Sequence, residues 1–571
     1  MTMNMERIEA DVVIVGAGGA GLRAAIAVAQ SDPGLAVALI SKVYPMRSHT
    51  CAAEGGAAGV KGADDSLEMH FNDTVSGGDW LCDQDVVEHF VKQAPLELVQ
   101  LEHWGCPWTR ADDGSVAVRS FGGMKKQRTW FAADKSGFHI LHTLFQTSLQ
   151  FPSIKRYDEF FALDLLHKNG SCRGVVAMEM RSGRFFRFEA PAVVFATGGA
   201  SQVFPFTTNG AIKTGDGMAM AYRAGLPLED MEFLQFHPTG LVPSGILMTE
   251  ACRGEGGYLR NSKGERFMER YAPSKMELAP RDMVSRAEQT EILEGRGFKG
   301  SDGLDCLHLD LTHLGADRIN TRLPLIREVC IKFLDLDPIV KPIPIRPVAH
   351  YSMGGIETDI NGATRVAGIW AAGEAACVSL HGANRLGSNS TAECLVWGGI
   401  TGEEIARALP GLRTAPPPPE ARLRASEKHL EDWLGREGGE NLYELRRELR
   451  AVMDRDVGVF RTGEGLQTAL STIRAIRERM RRAGVKDKGR VYNVNLFHAL
   501  ELENLVDLAE ITVAGALARK ESRGAHARRD FATRDDVQWL KHTLAWADAA
   551  GPRLDSKPVT IDMWKPVERK Y

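Results

Sequence analysis

The sequence predicts an α/β fold: a doubly wound, Rossmann-like domain interrupted by an inserted capping α+β domain, then a helical domain and a small C-terminal tail domain. Three short apolar runs, each closed by glycine, carry that prediction. Residues 10–15 read A-D-V-V-I-V and lead into Gly16-Ala17-Gly18-Gly19-Ala20-Gly21 and an alanine-rich stretch. Residues 192–197 (A-V-V-F-A-T) end in Gly198-Gly199, and residues 368–372 end in Gly373-Glu374. A β-branched strand, a glycine turn and a helix open a βαβ unit, and residues 35–40 supply its second strand.

Between the second and third runs this rhythm stops. Residues 237–349 become rich in Gly, Arg and Glu, as an inserted domain would be. Residues 1–236 and 350–415 are then the two parts of the Rossmann-like domain. The run A-P-P-P-P at 415–419 predicts a stiff, extended linker. Beyond it, Leu442, Leu445, Leu449, Val452 and Met453 fall at helical spacing, which predicts a helical domain over 416–530. The C-terminal domain is expected at 531–571, with a helix over 535–548 capped by Thr533.

Bulk properties exclude several function classes. At 571 residues the chain is long enough for three or four domains. A net charge of −4 gives no reason to expect nucleic acid or an anionic membrane as the main partner. The nine cysteines are scattered, odd in number and never spaced C-x-x-C, which argues against disulfides, zinc or an iron–sulfur cluster in this chain; no metal site is expected. No run approaches the ~18 apolar residues of a spanning helix. The opening residues carry no charged-then-apolar leader, so the chain reads as cytoplasmic.

The glycine motif has a physical reading. Gly16 permits the tight turn, Gly18 lets backbone approach a pyrophosphate, and Gly21 lets helix pack on strand. The helix N-terminus then faces the phosphates. A glycine turn without ligand remains the alternative. A nicotinamide-binding unit would place an acid after the second strand, but here stand Ser41 and Lys42. That weakens nicotinamide and leaves FAD. Residues 364–374 (T-R-V-A-G-I-W-A-A-G-E) resemble the second motif of two-motif flavoproteins, in which Glu374 would hold a flavin sugar hydroxyl.

Residues 41–50 (S-K-V-Y-P-M-R-S-H-T) and 53–56 (A-E-G-G) resemble the covalent-flavin segment of fumarate reductase and succinate dehydrogenase flavoproteins. Further matches are 129–146, 214–218, 235–240, 247–256, 280–282, 349–355 and 381–390, so the resemblance spans about residues 8 to 530. Residues 122–152 look most like bacterial quinol-linked fumarate reductases.

The resemblance implies a flavin bonded through its 8α carbon to His49, a bond that raises the flavin potential. FAD would be held by Gly16, Ala17, Gly18, Gly19, Ala20, Gly21, Ser41, Lys42, Ser48, His49, Thr50, Gly55, Gly56, Asp216, Glu374, Ser390 and Thr391. The helix after Ser390 would aim its positive end at the flavin. His237 and Thr249 would bind one carboxylate of fumarate or succinate, His350 and Arg385 the other, with Phe121 packed nearby. Arg281 would donate the proton, resupplied through Glu250 and Arg253, and His237 would share in catalysis. An ion pair of Arg281 with Asp282 or Glu277 is the structural alternative.

Electrons would need an iron–sulfur subunit and a quinone-binding membrane anchor, which places the chain peripherally on the cytoplasmic face of the cell membrane. Rival readings are an L-aspartate oxidase, with noncovalent FAD; a soluble haem-linked fumarate reductase, whose C-x-x-C-H motifs are missing here; and a silent flavin-binding scaffold.

Overall fold

The computed structural model describes residues 5–62, 64–168, 170–300, 303–412 and 420–569. Its centre is a five-stranded parallel sheet, ordered Ile369–Ala371, Ala192–Phe195, Val12–Val15, Val37–Ser41, Ile154–Asp158. The three glycine-closed runs are thus adjacent strands. Val13, Val15 and Ile40 face one core, and Val12, Ile14 and Leu39 face the other, so both sheet faces are covered. The helix Gly19–Ser31 lies against the helix Asn389–Leu412. They approach closely because Gly398 and Gly402 carry no side chain: a Cβ there would meet Ala20 O at 2.8 Å and Ala24 O at 2.6 Å.

Between Ser41 and Ile154 the chain inserts three helices, Leu67–Gly77, Gln84–His103 and Ser136–Ser148, which the sequence pattern did not announce. A second, four-stranded sheet (Glu6–Glu9, Phe185–Glu189, Ser171–Glu179, Phe160–Lys168) flanks the first. The expected inserted region forms an antiparallel sheet ordered Leu234–Leu241, Ile343–Ser352, Leu307–Asp310, Tyr258–Arg260, with its own apolar core around Leu259, Leu307, Leu309 and Ile345. Its two long strands run a few residues past both expected limits, 237 and 349.

The helical spacing at 442–453 is a real helix, Leu442–Val457, whose five predicted residues are all buried. The proline run at 415–419 lies outside the described residues. The helix expected at 535–548 is not there. The Asp535 carboxylate accepts from the backbone of Val537 and Gln538, making one local turn. The chain then extends into the strand Lys541–Trp546, paired with Arg553–Pro558 on one side and Leu228–Glu229 on the other. Pairing with distant strands overrides the local helical preference. Among the described residues no helix is long and apolar enough to cross a membrane.

Candidate active site

The carboxyl ends of four parallel strands open into one large cavity, roofed by the inserted sheet. This is where open α/β sheets bind ligands. Gly16, Ala17, Gly18, Gly19 and Ala20 line it at the N-terminus of the Gly19–Ser31 helix. Gly21 does not line the cavity. It lies beneath the turn, where a Cβ would stand 1.8 Å from Gly16 O, as its predicted packing role requires. Thr50 Oγ1 accepts from the Gly19 backbone at 3.1 Å, so the His49 loop is tied to the glycine turn.

Ser41 and Lys42 close the far end. Lys42 Nζ donates to Thr214 Oγ1 (2.9 Å), Asp216 Oδ2 (2.7 Å) and Glu501 Oε1 (2.9 Å). Asn504 in turn donates to Asp216 Oδ1 at 2.8 Å, so the long helix Val494–Ala518 braces this corner. Ser48, His49, Thr50, Gly55, Gly56 and Glu374 lie along the cavity wall. Ser390 and Thr391 do too, but inside the first turn of the helix, which begins at Asn389 and not after Ser390.

The other end gathers two histidines and two arginines. His237 and His350 stand with ring centres 5.1 Å apart. His237 Nδ1 accepts from the Thr239 backbone at 3.2 Å, so Nε2 carries the hydrogen and donates into the cavity. Burial first, then the surrounding Arg281, His350, Arg253 and Arg385, hold His237 neutral, far below the ordinary imidazole range. His350 is held low by burial, Arg281 and Arg385, and its Nδ1 lies 2.8 Å from Thr208 Oγ1. Arg385 is fixed by Ser390 Oγ (3.0 Å) and by the Tyr351 ring beneath it. Burial and the neighbouring Arg281 bring its guanidinium down to about 9.

Arg281 starts the helix Arg281–Leu293. Its Nε and Nη2 donate to one Glu250 oxygen at 2.8 and 2.6 Å, and Nη1 donates to Gln235 at 3.1 Å. Its partner is therefore Glu250. Asp282 pairs with Arg286 and Arg569, and Glu277 with Arg266, so neither alternative partner is available. Burial favours a neutral Glu250, but Arg281 and Arg253 overcome it and hold the carboxyl below its usual range. Burial lowers Arg281, and Arg253 adds to that against the opposing pull of Glu250. Arg253 stands behind, its Nη2 3.1 Å from Glu250, and does not line the cavity. Thr249 and Phe121 do line it. The edge of the Phe121 ring lies against the bare Gly55, where a Cβ would come within 2.7 Å of it.

These residues fit a flavin dinucleotide with a dicarboxylate beside it. The glycine turn offers backbone at a helix N-terminus. Buried polar atoms on the cavity wall have no protein partner: Ser48 Oγ, Thr197 Oγ1, His237 Nε2 and Arg385 Nε. Buried polar atoms are normally satisfied, so this clustering marks where a ligand completes the bonding. Sequence patterns missed several wall residues, among them Glu54, Thr197, Thr208, Lys213 and Tyr351. Glu54 sat inside a quoted motif; Lys213 had no such signal.

Comparison with known proteins agrees with this geometry. Residues 11–391 match a family model described as FAD binding domain, and residues 446–571 match one described as fumarate reductase flavoprotein C-term. The chain is 52% identical over 577 residues to the fumarate reductase flavoprotein subunit of Mycobacterium tuberculosis H37Rv, covering 98% of this chain and 99% of that one. It is 46% identical to the succinate dehydrogenase flavoprotein subunit of Rickettsia bellii, covering 96% and 95%. A solved quinol-fumarate reductase with menaquinol molecules superposes with a TM-score of 0.95 at 51% identity, over 99% of this chain and 100% of that one. The chain belongs to the fumarate reductase and succinate dehydrogenase flavoprotein subunit family, and it is an FAD-dependent oxidoreductase.

Proposed function

We propose that this chain interconverts fumarate and succinate, at an FAD bonded to His49, as the catalytic subunit of a membrane-attached complex. One observation carries the reading: four side chains, His237, His350, Arg281 and Arg385, converge on a single buried chamber at the end of the dinucleotide cavity. Two of them offer buried donors without protein partners. A four-carbon dianion matches that donor set at both ends.

FAD supplies hydride transfer when bound. The protein's own residues do the rest. His237 Nε2 and Thr249 bind one carboxylate, while Arg385 and His350 bind the other. Phe121 excludes water from the chamber. Arg281 delivers a proton to the alkene carbon that hydride does not reach. An arginine is a weak acid, but the carbon beside a carboxylate is strongly basic once it holds the electron pair, and burial among cations makes the guanidinium easier to deprotonate. Glu250, in contact with Arg281, and Arg253 behind it restore the proton. We assign the remaining pocket residues to FAD, with Lys42 and Asp216 at one end and Ser390 and Thr391 at the other.

The nine cysteines are all free, and seven are buried singly in the structure. Electron exchange with quinone therefore calls for an iron–sulfur partner subunit and a membrane anchor, with this chain peripheral on the cytoplasmic side. The similar quinol-fumarate reductase solved with menaquinol molecules supports the link to a quinone. The test is direct. Purified chain should show yellow flavin fluorescence on a denaturing gel and should oxidise reduced viologen only when fumarate is added. A colourless chain, or one that reduces fumarate no faster than a boiled sample, overturns the proposal.

A further inference from the structure

One turn of the cavity wall holds two functional side chains at once. The Lys213 backbone donates to Gly210 O at 3.0 Å, and the Gly210 N–H points at His49 Nδ1 across 3.4 Å. Lys213 then runs inward over Gly198, where a Cβ would lie 3.2 Å from its Cε. Its ammonium contacts Glu374 Oε2. The other Glu374 oxygen accepts from the Ser352 backbone at 3.1 Å. Lys213 is only 5% exposed and lines the cofactor cavity. Taking such a pair out of water is costly and adds little to stability, so its presence in a ligand cavity calls for a role.

We propose that Lys213 is a positioning residue for covalent flavin attachment: its ammonium fixes Glu374 against the cofactor, and its backbone closes the turn whose Gly210 N–H orients His49. This rests on the reading of His49 as the attachment point. With Nδ1 turned to the Gly210 N–H, Nε2 is left to form the bond. The step exchanges one C–H of the flavin 8α carbon and the Nε2–H for a C–N bond. It releases two protons and leaves two electrons on the flavin. Fumarate takes up two electrons and two protons on becoming succinate, so the enzyme's own substrate completes the balance. An imidazolium has no lone pair at Nε2 and cannot take the step.

The titratable groups facing His49 are Lys213, from the Gly210 turn, and His350, from the Ile343–Ser352 strand, itself held neutral; Glu374 stands behind Lys213. Burial first, and Lys213 second, push the His49 imidazole down to about 3.

The experiment follows covalent flavin by fluorescence on denaturing gels, and total flavin by absorbance of the native protein. Wild type, Lys213→Met, Lys213→Arg and His49→Ser are each incubated with FAD and fumarate between pH 5 and 8. Wild type is expected to attach flavin at a rate that varies little with pH. Lys213→Met should bind FAD to within twofold of wild-type occupancy and attach it at least tenfold more slowly at every pH, because burial alone keeps His49 largely unprotonated while Glu374 has lost its anchor. Lys213→Arg should behave as wild type. A Met variant that attaches flavin at the wild-type rate overturns the role of Lys213. So does failure of both Lys213 variants to hold any FAD, which would make the lysine purely structural. Covalent flavin persisting in His49→Ser would instead overturn the underlying reading of His49.

Discussion

Two buried clusters of arginine occupy this molecule, and they are built differently. Around the C-terminal seam every nitrogen of Arg519 is engaged. Nε donates to Glu232 at 2.8 Å, Nη1 to Glu521 and the Trp539 carbonyl, and Nη2 to the Lys541 carbonyl and Thr543. Arg523 is held the same way by Glu521, Asp536 and the Asp79 carbonyl. In the cavity Arg385 has one hydrogen bond to a side chain, and its buried Nε has no protein partner. Residue type and burial are the same in both places. What marks the cavity is a set of buried donors that the protein leaves unpartnered, at Arg385 and His237, around an Arg281 that Glu250 and Gln235 hold in place.

The largest expected effect lies at the incomplete site. Arg281→Lys keeps a charge but loses the fork that spans Glu250 and Gln235. Turnover with viologen and fumarate should fall by at least three orders of magnitude, while gel fluorescence stays at the wild-type level. Activity within tenfold of wild type would remove Arg281 as proton donor. The matched change on the complete site is Arg519→Leu, which leaves Glu232 buried without its cation and Glu521 with Arg523 alone. It should destabilise the fold by about 3–5 kcal/mol in chemical denaturation. Fumarate turnover per bound flavin should stay within twofold at low denaturant. Stability loss at Arg281, or a turnover defect at Arg519, would dissolve the distinction.

His49→Ser cuts across the comparison by separating cofactor binding from cofactor potential. The variant should retain FAD in its native state and release it on denaturation. Succinate oxidation should fall more than fumarate reduction, because loss of the histidyl substituent lowers the flavin potential. Equal losses in both directions would contradict that account.

Much of this was legible in sequence, for a physical reason. A phosphate-binding turn needs glycine at fixed positions, and a dianion site needs cations in fixed loops, so both leave short local patterns such as residues 16–21 and 381–390. The strand Lys541–Trp546 left none. Its buried His542 answers to Asp230 and Asp83, more than 300 positions away in the chain. Arg519 and Glu232 likewise meet only through the fold. Lys213 sits beside a recognised motif without belonging to one, and only its position over Gly198 gives it away.

The complete site also has its own pH signature. Burial disfavours charge on His542, but Asp230 and Glu229 overcome it and raise the imidazole to about 10. A raised histidine stabilises the fold fully below its ordinary value of ~6.5 and loses that contribution as pH climbs through about 10. Melting temperature should therefore decline across that window, and His542→Gln should flatten the decline. An unchanged slope in the variant would remove His542 as its source.

The smallest effect probes a place where the contrast itself can break. Glu288 lies two turns beyond Arg281 on the same helix, fully buried, and neither carboxylate oxygen has a partner. By the rule above it should be functional, yet it does not line the cavity. Burial raises it well above the carboxylate range, and Arg253 only partly opposes this. A carboxyl raised in the fold is protonated there but ionised in the unfolded chain, so its penalty grows as pH rises above ~4.5. Glu288→Met removes that penalty at similar volume and should stabilise the protein by about 1 kcal/mol at pH 8, and by less at pH 5. Turnover should not change. A stabilised variant with normal turnover confines functional meaning to unpartnered groups that face the ligand. A variant with lost turnover extends it to Glu288, and makes the helix behind Arg281 part of the proton path.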